Sequence, residues 1–361
     1  MKIDIKKIAA IDLFCGIGGL TKGLEMSGVP VVAGFDIDES CRFIYESNTK
    51  SAFVNKDVQS INIEELRNFY PKDSEVRVLV GCAPCQPFSR LSGKYRMKGQ
   101  RDPKWRLLYS FSDIIEAVQP DIVSMENVPD IVHHDVLVDF TRKLEDNGYH
   151  IWCDVVACAR YGVPQNRKRF VLLASKHGEI NLIDPIYREG EYLTVRDAIG
   201  MLKEIPAGGH LDSDPMHRSC RLSRKNLERI RQSRPGGTWK EWEERLRLDC
   251  HKKNAGKTYG SVYGRMSWDA PSPTITTQFY GYGNGRFGHP EQDRAISLRE
   301  GALLQSFPND YIFCDNDHPI NVHDMGVHIG NAVPVKLGEA IGCSIIQHIS
   351  RIEYKEQVNH E

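Results

Sequence analysis

An apolar run that breaks into glycines and reopens as a helix leaves a chain few ways to fold, and residues 8–28 read I-A-A-I-D-L-F-C-G-I-G-G-L-T-K-G-L-E-M-S-G. The opening I-A-A-I-D-L fits a buried strand, and Leu20 and Leu24, four apart, share one face of the helix that follows. Gly16, Gly18 and Gly19 let the backbone come close to a ligand at the helix amino terminus. The next apolar run ends at Asp36, where a carboxylate can hold ribose hydroxyls. Together these predict a nucleoside-binding α/β layer. A dinucleotide loop of the G-x-G-x-x-G kind needs glycine at position 21, where Thr21 stands. A plain strand-to-helix turn accounts for the glycines but leaves Asp36 without a role.

Further along, the same pattern of strand and abrupt turn repeats. Residues 76–89 read V-R-V-L-V-G-C-A-P-C-Q-P-F-S, a buried strand and then a small-residue turn that projects Cys85, set between two prolines, from the carboxyl edge of a sheet. Cys85 is the candidate nucleophile, since a helix amino terminus or a nearby arginine favours the thiolate. Cys82 and Cys85 also make a C-x-x-C, which reads as a redox pair or as half of a zinc site. Cys153 and Cys158 are a poor match for the second half of such a site, and Cys82 alone suits a buried thiol packed like a small hydrophobe. Residues 121–125, D-I-V-S-M, deliver Glu126 to the same edge, where a carboxyl in a closed pocket can donate to a ring nitrogen; taken alone it reads as an ordinary helix-start acid. Before the strand F-V-L-L-A, extended chain turns Arg167 and Arg169 one way and Lys168 the other, so that two guanidiniums face one site. Residues 51–58 end in K-D-V, where Asp57 by itself is only a loop aspartate. Residues 90–104 carry many cations with two glycines and a proline, and read as a mobile lid or as a solvated loop.

From about residue 176 the strand-helix alternation gives way to prolines and paired glycines. Between Arg218 and Lys257 cations outnumber acids and are interleaved with Trp239 and Trp242, which suits phosphate contact and base reading. A solvated helical face explains L-S-R-K-N-L-E-R-I-R-Q-S-R equally well, with its apolar residues at 222, 227 and 230. Residues 268–288 read as a Thr-rich strand followed by glycines for a close ligand approach or for tight turns. Ser297 with Glu300 three residues on forms a capping box, and I-G-N-A-V-P at 329–334 starts a closing helix.

A net charge of −1 excludes a uniformly basic coat, so any polyanion must be met by a local patch. With 361 residues and 40% hydrophobic content the chain can bury a substantial core in two domains. Ten irregularly spaced cysteines, no basic leader before an apolar segment and no run approaching a membrane span predict a soluble cytoplasmic protein.

Taken in order, the glycine loop, Asp36, Pro-Cys-Gln, E-N-V, Q-N-R-K-R, the capped helix and G-N-A-V-P resemble the C5-cytosine-specific DNA methyltransferase family across nearly the whole chain. Ala83 departs from the Phe or Pro that many members carry. The resemblance implies a Rossmann-like S-adenosyl-L-methionine-dependent sheet with helices on both faces, spanning residues 1–175 and 325–361. A smaller, irregular target-recognition domain, matched by position only, then covers 176–324. It implies catalytic roles for Cys85, Glu126, Arg167 and Arg169, and cofactor contacts from Asp12, Phe14, Gly16, Gly18, Gly19, Asp36, Ile37, Asp57, Pro84, Asn331 and Ala332, with no metal. The implied reaction joins Cys85 to C6 of a cytosine flipped out of double-stranded DNA, and a cognate restriction endonuclease is an implied partner. Two alternatives stay open: methylation of cytosine in transfer RNA, against which the long basic segment weighs, and a non-catalytic DNA-binding relative, which would be expected to lose Cys85, Glu126 or the arginines.

Overall fold

The computed structural model describes residues 7–84, 105–253, 260 and 262–358. Cys85 and the expected lid at 90–104 lie outside the described residues. The chain forms two compact units: Met1–Tyr161, Lys168–Pro185 and Val333–Glu361 make the first, and Gly162–Arg167 with Ile186–Ala332 make the second. Beside the division read from sequence, the first unit runs past 175 to Pro185, and the second takes in 162–167 and continues through Ala332.

The first unit begins with β1 (Ile8–Leu13), α1 (Gly19–Met26), β2 (Val31–Asp36), α2 (Arg42–Asn48), β3 (Ala52–Asn55), α3 (Ile63–Arg67) and β4 (Val76–Gly81). It continues with α4 (Trp105–Val118), β5 (Ile122–Asn127), α5 (Asp135–Asp146) and β6 (His150–Ala157). The short β7 (Gln165–Asn166) belongs to the second unit, and β8 (Lys168–Ser175) returns to the first. One seven-stranded sheet results, in the order β3-β2-β1-β4-β5-β8-β6. The first five strands are parallel, while β8 runs antiparallel to both of its neighbours.

β1 and β5 are buried along their whole lengths, as parallel strands covered on both faces must be, which is why they read as apolar runs without alternation. Ile11 and Leu13 of β1, Leu79 of β4 and Met125 of β5 pack with Phe111 of α4 and Phe140 of α5 in one core cluster. The next residue along β1 points the other way: Asp12 meets Thr21 of α1. On that face α1 packs against the last helix, α11 (Val335–Val358), and His348 of α11 is 2.7 Å from the Ser175 hydroxyl of β8. A Cβ at Gly23 of α1 would lie 2.5 Å from the Glu339 N and collide with the Val335 carbonyl, so only glycine allows this helix pair its approach.

The second unit is mostly irregular. It holds α6 (Val195–Ile199), the antiparallel pair β9 (His210–Leu211) and β10 (Asp214–Arg218), α7 (Arg224–Gln232) and α8 (Asp249–Lys252). After these come β11 (Ser272–Pro273), α9 (Leu298–Leu304) and α10 (Val322–Asn331). The Thr-rich strand expected at 268–288 shrinks to β11, paired in parallel with β7. Beyond it side chains replace the ladder: the Thr274 hydroxyl donates to the Asn166 carbonyl at 2.7 Å, and the Ile275 N–H to the Gln165 side chain at 2.9 Å. The capping box forms as expected, Ser297 and Glu300 each accepting from the other's backbone N–H at the start of α9. Glu300 also pairs with Arg294 at 2.7 Å, both side chains almost wholly buried. The residues 329–334 do not simply start a helix: they end α10 and, across Pro334, lead into α11. The stretch Val322–Ile352 is apolar enough for a membrane span, with mean hydropathy 1.2, but 67% of that window is buried inside the protein.

Candidate active site

In the first unit, the glycine loop, Asp36 and Glu126 lie at the carboxyl ends of the parallel strands, around the point between β1 and β4 where the strand order reverses. That is the crevice in which open α/β sheets bind ligands at the carboxyl ends of their strands. Phe14 leaves β1 with φ 61°, and Gly16 and Gly18 follow at 51° and 85°, so the turn runs through left-handed backbone that glycine tolerates and Phe14 occupies under strain. Gly18 caps α1 without a side chain, and Gly19 is the first helical residue. Asp36, at the end of β2, organises this loop: its Oδ2 accepts from the Gly16 N–H at 2.8 Å and its Oδ1 from the Asp38 N–H at 2.9 Å. Ile37 is 68% exposed beside it, an apolar surface next to a carboxylate at a strand end. Asp57, past β3, accepts from the Gln59 N–H at 3.0 Å and caps a short 3₁₀ turn.

Asp12 is the most unusual group on this edge. It is fully buried; its Oδ2 accepts from the Thr21 hydroxyl at 2.7 Å, and its Oδ1 has no hydrogen-bond partner. Burial pushes its carboxyl up to about 7, against the Thr21 hydrogen bond that lowers it, and the charge of Asp36 raises it further. Thr21 is itself 3.1 Å from the Tyr45 hydroxyl, which lies 2.5 Å from the Ser51 hydroxyl, so a chain of polar groups runs from α1 to α2 under the loop. Thr21, noticed in the sequence only as a missing glycine, is thus the residue that holds Asp12. A lone polar side chain on a helix face otherwise lined by Leu20 and Leu24 was the available signal.

Next along the sheet, Gly81 of β4 lies opposite Met125 of β5 in parallel register, which brings the following residues, Cys82 and Glu126, side by side. The Cys82 thiol donates to Glu126 Oε2 at 2.7 Å. Arg169 of β8 reaches the same carboxylate from the opposite side, its Nε 2.7 Å from Oε1. Glu126 is 2% exposed. One residue on, the buried Asn127 donates to the Ala83 carbonyl at 3.2 Å and tethers the turn that leads into half-buried Pro84. Cys82, half-buried and carrying this partner, is not the plain buried thiol its sequence context suggested.

Arg167 does not share this geometry. The strand expected to carry Arg167 and Arg169 on one side is interrupted at 167, between β7 and β8, so the two-residue alternation fails there. Arg167 is 3% exposed and donates to the Ile275 carbonyl at 2.9 Å and the Gly330 carbonyl at 3.4 Å, all within the second unit. Asn331, exposed at the end of α10, and half-buried Ala332, its carboxyl cap, also belong to the second unit.

Within that unit, the basic segment sorts into two classes. Arg229 is 5% exposed, donates to the Leu246 carbonyl at 2.9 Å and to Asn226 at 2.8 Å, and lies over the Trp242 and Tyr263 rings. Trp239 and Trp242 are buried beside Ile230 and Tyr282 in a core cluster. The tryptophans therefore fill the interior, and Arg229 braces them: the sequence pattern suggested base contact, but a small domain must bury its few large rings. Arg231 pairs with Asp293, and Arg245 with Glu228 and Glu243. Arg221, Lys225, Arg234, Lys252 and Lys253 stay exposed.

A mixed sheet with a glycine loop after β1, an acid ending β2 and a buried glutamate paired with arginine near the end of β5 defines an α/β fold with a ligand crevice at the carboxyl ends of its parallel strands. Residues 8–347 match the profile of the C-5 cytosine-specific DNA methylases, and the chain belongs to that family. It is 49% identical to the type II methylase M.HgiDII of Herpetosiphon aurantiacus over 97% of this chain and 98% of that one. It is 32% identical to the type II methyltransferase M1.BsuMI of Bacillus subtilis, over 93% of this chain and 80% of that one. Among solved structures it is similar to a DNA modification methyltransferase encoded within an E. coli prophage, with TM-score 0.70 and 21% identity over 94% of this chain and 99% of that one. The Dnmt2 methyltransferase of S. pombe matches with TM-score 0.64 and 18% identity over 94% and 99%. The chain is accordingly a C5-cytosine DNA methyltransferase of the type II restriction-modification kind.

Proposed function

We propose that this enzyme transfers a methyl group from S-adenosyl-L-methionine to C5 of one cytosine, flipped out of a specific double-stranded DNA sequence, through a covalent Cys85–C6 adduct. The observation that carries the reading is Glu126: a nearly fully buried carboxylate at the end of β5, gripped by Arg169, one strand away from the turn into Cys85.

C5 of cytosine is too weak a nucleophile to be methylated unaided. Addition of the Cys85 thiolate to C6 makes C5 electron-rich, and later loss of the C5 proton expels the thiolate. Glu126 holds the ring by sharing a proton with N3 and accepting from the exocyclic amine, and Arg169 keeps that carboxyl group in place and offsets charge as addition proceeds. The target atom is hidden inside the duplex, so the base must leave the stack, at a cost of a few kcal/mol. When bound, S-adenosyl-L-methionine supplies an electrophilic methyl on a sulfonium, and no metal is required.

The donor set at the β1–β3 edge fits that cofactor. The unpartnered Asp12 oxygen suits a cationic ligand, Asp36 lies where ribose hydroxyls would be held, and exposed Ile37 offers an apolar face to a purine. Gly16, Gly18 and Gly19 admit a close backbone approach, with Phe14, Asp57, Pro84, Asn331 and Ala332 as further contacts. The second unit, together with residues 90–104, is assigned to gripping and reading DNA. We place the enzyme in the cytoplasm, where it protects DNA from a cognate restriction endonuclease.

Bisulfite sequencing of DNA from cells expressing the chain tests the reading and reports the recognised sequence. The wild type should protect one cytosine in a single sequence context, and Cys85→Ser should protect none while Cys82→Ser retains much of the protection. A duplex with 5-fluorocytosine at that position should be captured covalently by the wild type and not by Cys85→Ser. Normal methylation by Cys85→Ser overturns the proposed adduct.

A further inference from the structure

We infer that Cys82, the other cysteine of the C-x-x-C, is a positioning residue for Glu126: its thiol fixes the plane in which the carboxylate meets the target cytosine. The inference deepens the proposed function and rests on Glu126 being the group that grips the ring.

Glu126 stands near the carboxyl end of β5, where the ladder holds its backbone opposite Val171 of β8 but leaves its side chain to be oriented by its own contacts. Its two oxygens are met from opposite sides, Oε1 by an ion pair without hydrogen-bond geometry and Oε2 by a hydrogen-bond donor. Arg169 Nε is 2.7 Å from Oε1, on the neighbouring strand β8, and the Cys82 thiol donates to Oε2 at 2.7 Å, on the neighbouring strand end of β4. Either contact alone leaves the carboxylate free to turn about its last bond; the two together fix that torsion. A buried carboxylate without a donor on one oxygen has a strong incentive to rotate toward any other donor, so the thiol also keeps Glu126 from folding wholly onto Arg169. Cys82 is itself anchored, its N–H donating to the Leu13 carbonyl of β1 at 3.3 Å, and the next carbonyl, that of Ala83, accepts from Asn127. The donor is therefore built into the backbone of the turn at residues 82–84, which is itself tied to β1 and to the end of β5. Glycine or alanine at 82 would remove the donor; serine would keep a hydroxyl donor there.

The test uses the full-length enzyme and duplexes carrying at the target position either 5-fluorocytosine, whose C5 fluorine blocks release of the adduct, or 5-fluoro-2-pyrimidinone, which also lacks the exocyclic amine. The rate of covalent capture is measured for wild type, Cys82→Ala, Cys82→Ser and Glu126→Gln, with thermal midpoint and cofactor affinity alongside. In Cys82→Ala capture of the 5-fluorocytosine duplex should slow roughly ten- to hundredfold, the effect expected when a hydrogen bond to a charged group is removed. The ratio between the two duplexes should shrink toward one, Cys82→Ser should restore most of both, and cofactor affinity should not change. If Cys82→Ala slows both duplexes equally, or changes neither, Cys82 does not position Glu126 and the inference is wrong. If the wild type treats the two duplexes alike and Glu126→Gln captures both at the wild-type rate, the reading of Glu126 itself fails, and this inference with it.

Discussion

Asp12 shows how much a single residue can be made to bear. A carboxyl raised to about 7 by burial is protonated in the folded protein at a pH where the unfolded chain, near the ordinary aspartate value of 3.8, has already ionised. The folded state holds the extra proton, so this group's contribution is fully present below pH 4 and is lost as pH rises through 7. Over that window the change is on the order of a few kcal/mol. Asp12→Asn, which keeps an acceptor for the Thr21 hydroxyl, removes the titration. Urea unfolding at pH 5 and pH 8 should show the Asn variant gaining on the wild type at the higher pH, and a gap independent of pH would mean that Asp12 is not the group that titrates. Asp12 was visible in the sequence as the acid of I-D-L and, through the family resemblance, as a cofactor contact; that it is orphaned on one oxygen depends on α1 arriving over it, which no local pattern states.

At the scale of elements, the α1–α11 pair gives a sharp test, because two effects of one substitution have opposite signs. Gly23→Ala improves helix propensity by about 1 kcal/mol, yet its methyl would meet the Val335 carbonyl and the Glu339 N, and overpacking of this kind costs roughly 1–3 kcal/mol. Packing should win, so thermal and urea midpoints of Gly23→Ala should fall; a rise would show that the helices separate at no cost. The elements of the first unit were largely legible for the opposite reason. β1, β4 and β5 are covered on both faces, so mostly apolar runs announced them, and small-residue or polar turns marked their ends. Around Arg167 the alternation rule failed, because the strand breaks at the end of a segment that belongs to the second unit, where the Gln165 side chain bonds the Leu304 carbonyl and Gln305. Glu126 was placed by strand register, whereas its partners Cys82 and Arg169 emerge only once three strands lie side by side.

For the whole molecule, the second unit was legible as a change of texture but not as a structure. Irregular backbone stitched by buried arginines has no period: Arg265 by itself donates to the carbonyls of Ile230, Ser233, His289 and Gln292. Cations inside such a unit serve the fold, and those left outside are available to a polyanion. Removing charge at Lys252 or Arg231 should weaken binding to all DNA and reduce the salt slope by roughly 0.9 for each phosphate no longer neutralised, or relax discrimination at one base pair by about 1–3 kcal/mol. Arg229, buried under Trp242 and Tyr263, should instead lower stability when changed. Binding to target and non-target duplexes across a salt series, with cofactor affinity alongside, separates the three cases. An unchanged methylated sequence after exchange of residues 186–332 would put specificity in the first unit.

The placement of α11 also sets a timetable. The face of α1 that carries Gly23 is covered by a helix made only after the entire second unit has been synthesised. Until then a growing chain can pair the strands of its sheet but cannot close the layer beneath the glycine loop. A polypeptide halted during synthesis anywhere before residue 333 therefore emerges with that layer open, and quality-control proteases meet it as an unfinished substrate rather than as a truncated enzyme.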